Sequence, residues 1–121
     1  MLNHHNQKSR GSLSVLEYKD LKFTPKRMYY ITNVPQGEIR GKHGHKKEEQ
    51  YLICIEGQLE VKTIDKNKKT KTTILNTGEM IYIDKMIWGE QKYITGNEIL
   101  LVLCSTNYDP NDYIYDLNEI I

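Results

Sequence analysis

The stretch Gly37–Gly57, GEIRGKHGHKKEEQYLICIEG, decides how this chain is read. Arg40-Gly41-Lys42-His43-Gly44-His45 leads through the charged run Lys46-Lys47-Glu48-Glu49 into an apolar run from Gln50 to Ile55. Successive side chains of a strand point to opposite faces, so His43 and His45 share one face. Glycine tolerates a positive φ, which makes Glu56-Gly57 a tight turn that returns the chain into Gln58 to Ile64. Lys46 to Glu49 reads as a solvated, charged face.

The same rhythm continues on both sides. Met28 to Thr32, Lys71 to Leu75, Met80 to Ile83, Gln91 to Ile94 and Ile99 to Ser105 are short runs rich in Ile, Val, Tyr and Thr, bounded by Gly, Asn, Asp and Lys. Asp65 to Lys69 reads as a solvated hairpin tip. The pattern predicts an all-β, antiparallel sandwich or barrel. From Asp109 the period changes: Asp109-Pro110 can cap and start a helix, and Ile114, Leu117 and Ile121 follow at helical spacing. A short C-terminal helix is expected there.

With 121 residues the chain fits one domain and one site. No repeat or linker divides it, so residues 9–121 are taken as one domain behind a flexible N-terminus, 1–8. Lys and Arg number 17 against 16 Asp and Glu, a net charge of +1, which argues against nucleic acid or an acidic membrane as partner. An anionic ligand would need local arginines. Asn3, His4, His5, Asn6 and Gln7 stand where a signal peptide needs an apolar run, and no run approaches membrane length, so the expected location is cytoplasmic. Cys54 and Cys104 lie in apolar runs and read as buried, reduced thiols.

Gly37, His43, His45 and Gly57 fall into the spacing of the first cupin motif, which this stretch resembles. The resemblance implies a cupin-type β-barrel, or jelly roll, around a metal site. In register from Gly57, however, Gln50 occupies the position of the motif's Glu ligand. In the second motif, represented by Gly78 to Tyr93, Gly89 stands where a third histidine belongs. Two histidines fall short of the three protein ligands of a typical catalytic site, so no metal and no cofactor are expected. The imidazoles remain suited to moving a proton beside a carbonyl.

Further residues resemble the bacterial dTDP-sugar 3,4-ketoisomerases, metal-free cupins, over nearly the whole chain. Arg10-Gly11-Ser12-Leu13, Lys26 to Ile31, Arg40 to Lys47 with Gln50, Ile87-Trp88, Leu101-Val102-Leu103 and Asn107 to Ile114 carry the likeness. It implies transfer of the ketone of dTDP-4-keto-6-deoxyglucose from C4 to C3 through an enediol, supplying an aminotransferase in deoxyamino-sugar biosynthesis for lipopolysaccharide or O-antigen. His43 and His45 become the candidate proton-transfer groups, the base and the acid not distinguished. Tyr29 is the candidate assistant. Arg10, Arg27, Arg40, Gln50 and Trp88 become candidate substrate-binding residues, and a homodimer that exchanges its N-terminal strand is implied. Gly89 and Tyr115 depart from the family's His or Arg and Arg at those places. Arg10 leans toward the galacto product, without the partner that Gly89 removes. Rival readings are a cupin epimerase of the same nucleotide sugar, a metal-dependent cupin completed by Glu48 or Glu49, and a non-catalytic ligand-binding cupin.

Overall fold

The computed structural model describes residues 2–121. Eleven strands follow in chain order: β1 (Asn3–Asn6), β2 (Ser12–Val15), β3 (Arg27–Ile31), β4 (Ile39–His45), β5 (Gln50–Glu56), β6 (Gln58–Ile64), β7 (Thr70–Asn76), β8 (Met80–Ile83), β9 (Trp88–Tyr93), β10 (Ile99–Cys104) and β11 (Tyr113–Ile114). β1 and β2 form a separate hairpin. The rest build a four-stranded sheet, β3-β10-β5-β8, and a five-stranded sheet, β11-β4-β9-β6-β7. Every pairing is antiparallel. The sheets are not joined by a ladder, so the expected closed barrel is corrected to an open, cupin-like sandwich.

Alternation sets the core. Leu52, Cys54, Leu100 and Val102 of one sheet meet Leu59, Val61, Leu75 and Tyr93 of the other. β5 has no polar alternation because its second face is covered too: Tyr51 and Ile53 pack beneath Leu2, Leu16, Leu21 and Phe23. A strand buried on both faces reads as a continuous apolar run. At the β5–β6 turn Gly57 has φ 91°, and a Cβ there would lie 2.7 Å from Glu98 Oε2. Glu98 accepts the N–H groups of Gln58, Thr95 and Gly96. Burial opposes its ionisation, but these bonds and that of the Thr95 hydroxyl outweigh burial and hold its pKa at about 2.

The C-terminal helix is corrected as well. Two single 3₁₀ turns, Pro110–Asp112 and Leu117–Glu119, flank β11, each started by an aspartate, Asp109 or Asp116, that accepts a backbone N–H. Tyr113 and Ile114 find ladder partners in His45 and Gly44, and the second cap at Asp116 restarts the chain before a helix can run. Ile120, not Ile121, packs with Ile114 against Trp88. Among the described residues, no helix is long and apolar enough to cross a membrane.

Candidate active site

A cavity of about 310 Å³ opens between the two sheets. Ile31, Leu52, Leu100 and Val102 form its apolar floor, while Arg27, Tyr29, Arg40, His43, Gln50, Gln91 and Tyr113 supply its polar wall. Five of the eight residues singled out in the sequence therefore converge here. Tyr29 turns inward and Tyr30 outward, 64% exposed, as alternation requires.

His43 and Arg40 share the cavity only because β4 is irregular. They stand three positions apart, which in a regular strand sends their side chains to opposite faces. The β4–β9 ladder shifts register between Gly41 and His43, with Gly41 at φ 90° and Lys42 at φ 59°. This bulge restores both side chains to the inner face. A Cβ on Gly41 would meet the Gly89 carbonyl oxygen at 2.9 Å, so glycine is needed there for space as well as for φ.

The two histidines occupy different environments. His43 borders the cavity, its ring 5.0 Å from that of Tyr113. Burial pushes its pKa below the ordinary histidine value; a hydrogen bond with the Gly41 backbone opposes this, and neighbouring His45 adds to it. His45 lies behind, 6% exposed and outside the cavity wall. Its Nδ1 is 3.1 Å from Asp112 Oδ2 and its Nε2 is 3.6 Å from Glu48 Oε2. The rings meet edge to face at 5.1 Å.

Asp112 and Glu48 were not singled out as site residues, and both are buried. Asp112 also accepts the N–H of Lys47 at 2.7 Å and that of Glu48 at 3.2 Å, so it fastens the β4–β5 loop beneath His45. Glu48, read as part of a solvated face, is corrected: it is 2% exposed. It accepts from Arg27 Nη2 at 3.1 Å, Gln50 Nε2 at 2.7 Å and Thr106 Oγ1 at 2.8 Å. Lys46 and Lys47 do face solvent. The Nε of Arg27 is buried and has no hydrogen-bond partner among the described residues. Burial is the largest influence on the Tyr29 and Tyr113 hydroxyls and pushes both pKa values up, so both stay protonated at neutral pH.

These side chains do not suit a metal. The Gln50 amide presents an N–H to Glu48 and its Nε2 sits 3.4 Å from His45 Nε2, while Asp112 occupies His45 Nδ1. Among the described residues no three His, Cys, Asp or Glu side chains converge to hold an ion. Arg10 lies exposed in the Lys8–Arg10 turn, away from this chain's cavity. Trp88 does not line the cavity: next to inward Gly89 it points outward, packing with Ile114 and Ile120 and donating to Glu90 Oε2 at 2.9 Å. Gln91 was missed, and its alternation with Gly89 was the available signal.

Two facing antiparallel sheets with an imidazole on the inner wall define a small cupin-like protein with a pocket for a polar ligand. The chain belongs to the family described as FdtA: WxcM-like, C-terminal, whose profile matches residues 1–121. It is 37% identical over 107 residues to the TDP-4-oxo-6-deoxy-alpha-D-glucose-3,4-oxoisomerase of Aneurinibacillus thermoaerophilus, covering 88% of this chain and 77% of that one. The solved TDP-fucose 3,4-ketoisomerase of Campylobacter jejuni is 36% identical with TM-score 0.83, over 97% of this chain and 87% of its own. The TDP-quinovose 3,4-ketoisomerase of the same organism is 36% identical with TM-score 0.87, over 98% and 91%.

Proposed function

We propose that this protein is a sugar-nucleotide 3,4-ketoisomerase acting on dTDP-4-keto-6-deoxyglucose without a metal or cofactor. The observation that carries the reading is His43, an imidazole on the cavity wall whose burial keeps it neutral at neutral pH, backed by His45 between two carboxylates. His43 takes the C3 proton, and the electrons of that C–H bond form the enediolate with charge on O4. Tyr29, protonated at the cavity wall, offers a hydrogen bond to that oxygen. The C3 hydroxyl proton passes to O4 and a proton is delivered to C4, giving the neutral 3-ketone with a hydroxyl at C4. His45 acts from behind, held by Asp112, to orient and support His43.

Arg40, exposed at the cavity and without an ion pair among the described residues, is assigned to the diphosphate. Arg27 shares its charge with Glu48 and is better suited to the sugar end. The product suits an aminotransferase that accepts a 3-ketone, and the reaction is placed in the cytoplasm. Relatives named for TDP-fucose and for TDP-quinovose are equally identical to this chain, so overall similarity does not select the C4 configuration. Arg10 favours the galacto product.

A homodimer completes the proposal. Met28, Tyr30 and Ile55 lie on the outer face of the four-stranded sheet, exposed at 55%, 64% and 40%. They adjoin the apolar patch of Tyr51, Ile53 and Leu103. Exchange of the β1–β2 hairpin would carry Arg10 to a partner's cavity. Incubation with the nucleotide sugar in deuterated water, followed by NMR, tests the activity. Label at C4 and a new 3-keto product are expected; unchanged substrate refutes the reading, and label confined to C5 replaces it with the epimerase.

A further inference from the structure

His43 borders a second, much smaller space. A void of about 20 Å³ is walled by His43, His45, Gln50, Asp84, Gly89 and Gln91, among others. His43, Gln50 and Gln91 also wall the larger cavity, so these three side chains form a partition between the two spaces. A void holds a water molecule when it offers roughly 10–15 Å³ and two to four polar partners. This one meets both conditions. Asp84, an exposed residue between β8 and β9, forms one wall, so a water held there can exchange with bulk solvent.

Gly89 is what leaves the space open. It stands opposite His43 in the β4–β9 ladder and faces inward. A Cβ built there would lie 3.6 Å from Gln91 Nε2 and 3.7 Å from Ile83 Cδ1, both ordinary contacts. The backbone at Gly89 is not left-handed, so alanine fits without strain and occupies part of the void.

We propose that this void is a single-water site that passes protons between His43 and bulk solvent, and that Gly89 keeps it open. The role rests on the isomerase reading above. His43 walls both spaces, so its ring is placed to take a proton on the sugar side and to exchange one with a water in the smaller space. When the C3–H bond breaks, its electron pair enters the enediolate and the proton rests on His43. The water accepts that proton as it releases another to solvent, with no net change of charge. When His43 returns a proton to the sugar, C4 receives one of solvent origin rather than the one removed from C3.

The test uses dTDP-4-keto-6-deoxyglucose deuterated at C3, in ordinary water, with wild type and Gly89→Ala. Wild type is expected to form 3-keto product without deuterium at C4. In Gly89→Ala the share of deuterium carried to C4 should rise several-fold at an unchanged melting temperature. Substantial carry-over in wild type, or equal washout in both proteins, overturns the proposal. If wild type forms no 3-keto product, the isomerase reading has failed instead, and the site is judged by high-resolution crystal structures. An ordered water within hydrogen-bonding reach of Gln91 in wild type, absent in Gly89→Ala, upholds the site; an empty void in wild type overturns it.

Discussion

His43 and His45 are separated by a single glycine, yet one borders the cavity and the other is fixed between Asp112 and Glu48. Spacing could pair them but could not rank them, because the difference comes from residues that reach His45 across the fold. His43→Asn should lower kcat by about 10²–10⁴-fold, the range for loss of a general base, with dTDP still binding in a calorimetric titration. The pH profile has a definite sign. His43 works as a base only when neutral, and its pKa lies below the ordinary 6.5. Activity should therefore persist below pH 6.5 and disappear only as the pH falls through that depressed value. An acid limb of kcat/KM centred above 6.5 would contradict this assignment. Glu48 shows how a charge run conceals a buried group: nothing in Lys46-Lys47-Glu48-Glu49 distinguishes the inward carboxylate until Arg27 and Thr106 are placed beside it. Glu48→Gln leaves Arg27 without its counter-ion and should cost about 3 kcal/mol, read from urea unfolding.

Strand rhythm was readable because half-buried and doubly buried strands leave plain apolar patterns: β6 and β8 have the bounds their sequence suggested. The bulge in β4 left no such pattern. Strict alternation separates Arg40 from His43, and only the positive φ angles of Gly41 and Lys42 reunite them. Gly41→Ala tests this element directly. The new Cβ would sit 2.9 Å from the Gly89 carbonyl oxygen in a left-handed backbone. Such strain costs on the order of 1–3 kcal/mol, and relief by flattening the bulge would turn Arg40 or His43 out of the cavity. A fall in thermal midpoint accompanied by a larger loss of kcat/KM is expected. Equal activity at reduced stability would mean that the bulge does not aim these side chains. The C-terminal segment was misread for a related reason. Helical spacing of apolar residues was present, but the open edge of β4 offered Tyr113 and Ile114 a ladder instead.

At the scale of the whole molecule, the proposed homodimer accounts for both Arg10 and the apolar outer face of the four-stranded sheet with the same second copy. Arg10 shares no wall of its own chain's cavity, whereas its hairpin stands apart from both main sheets. Met28→Glu with Tyr30→Glu places charges on the outer face, away from the cavity, and should convert a dimer to a monomer in light scattering. If the partner supplies Arg10, two defective variants should rescue each other. Arg10→Ala retains His43, and His43→Asn retains Arg10. A mixed dimer that exchanges hairpins then contains one cavity with both residues and one with neither. Unfolding and refolding the two variants together should therefore yield more activity than the sum of the separate preparations. If Arg10 serves its own chain, each cavity of the mixed dimer still lacks one residue and no rescue occurs. Rescue by mixing, absent when both substitutions are placed in the same chain, identifies a site completed by the second subunit.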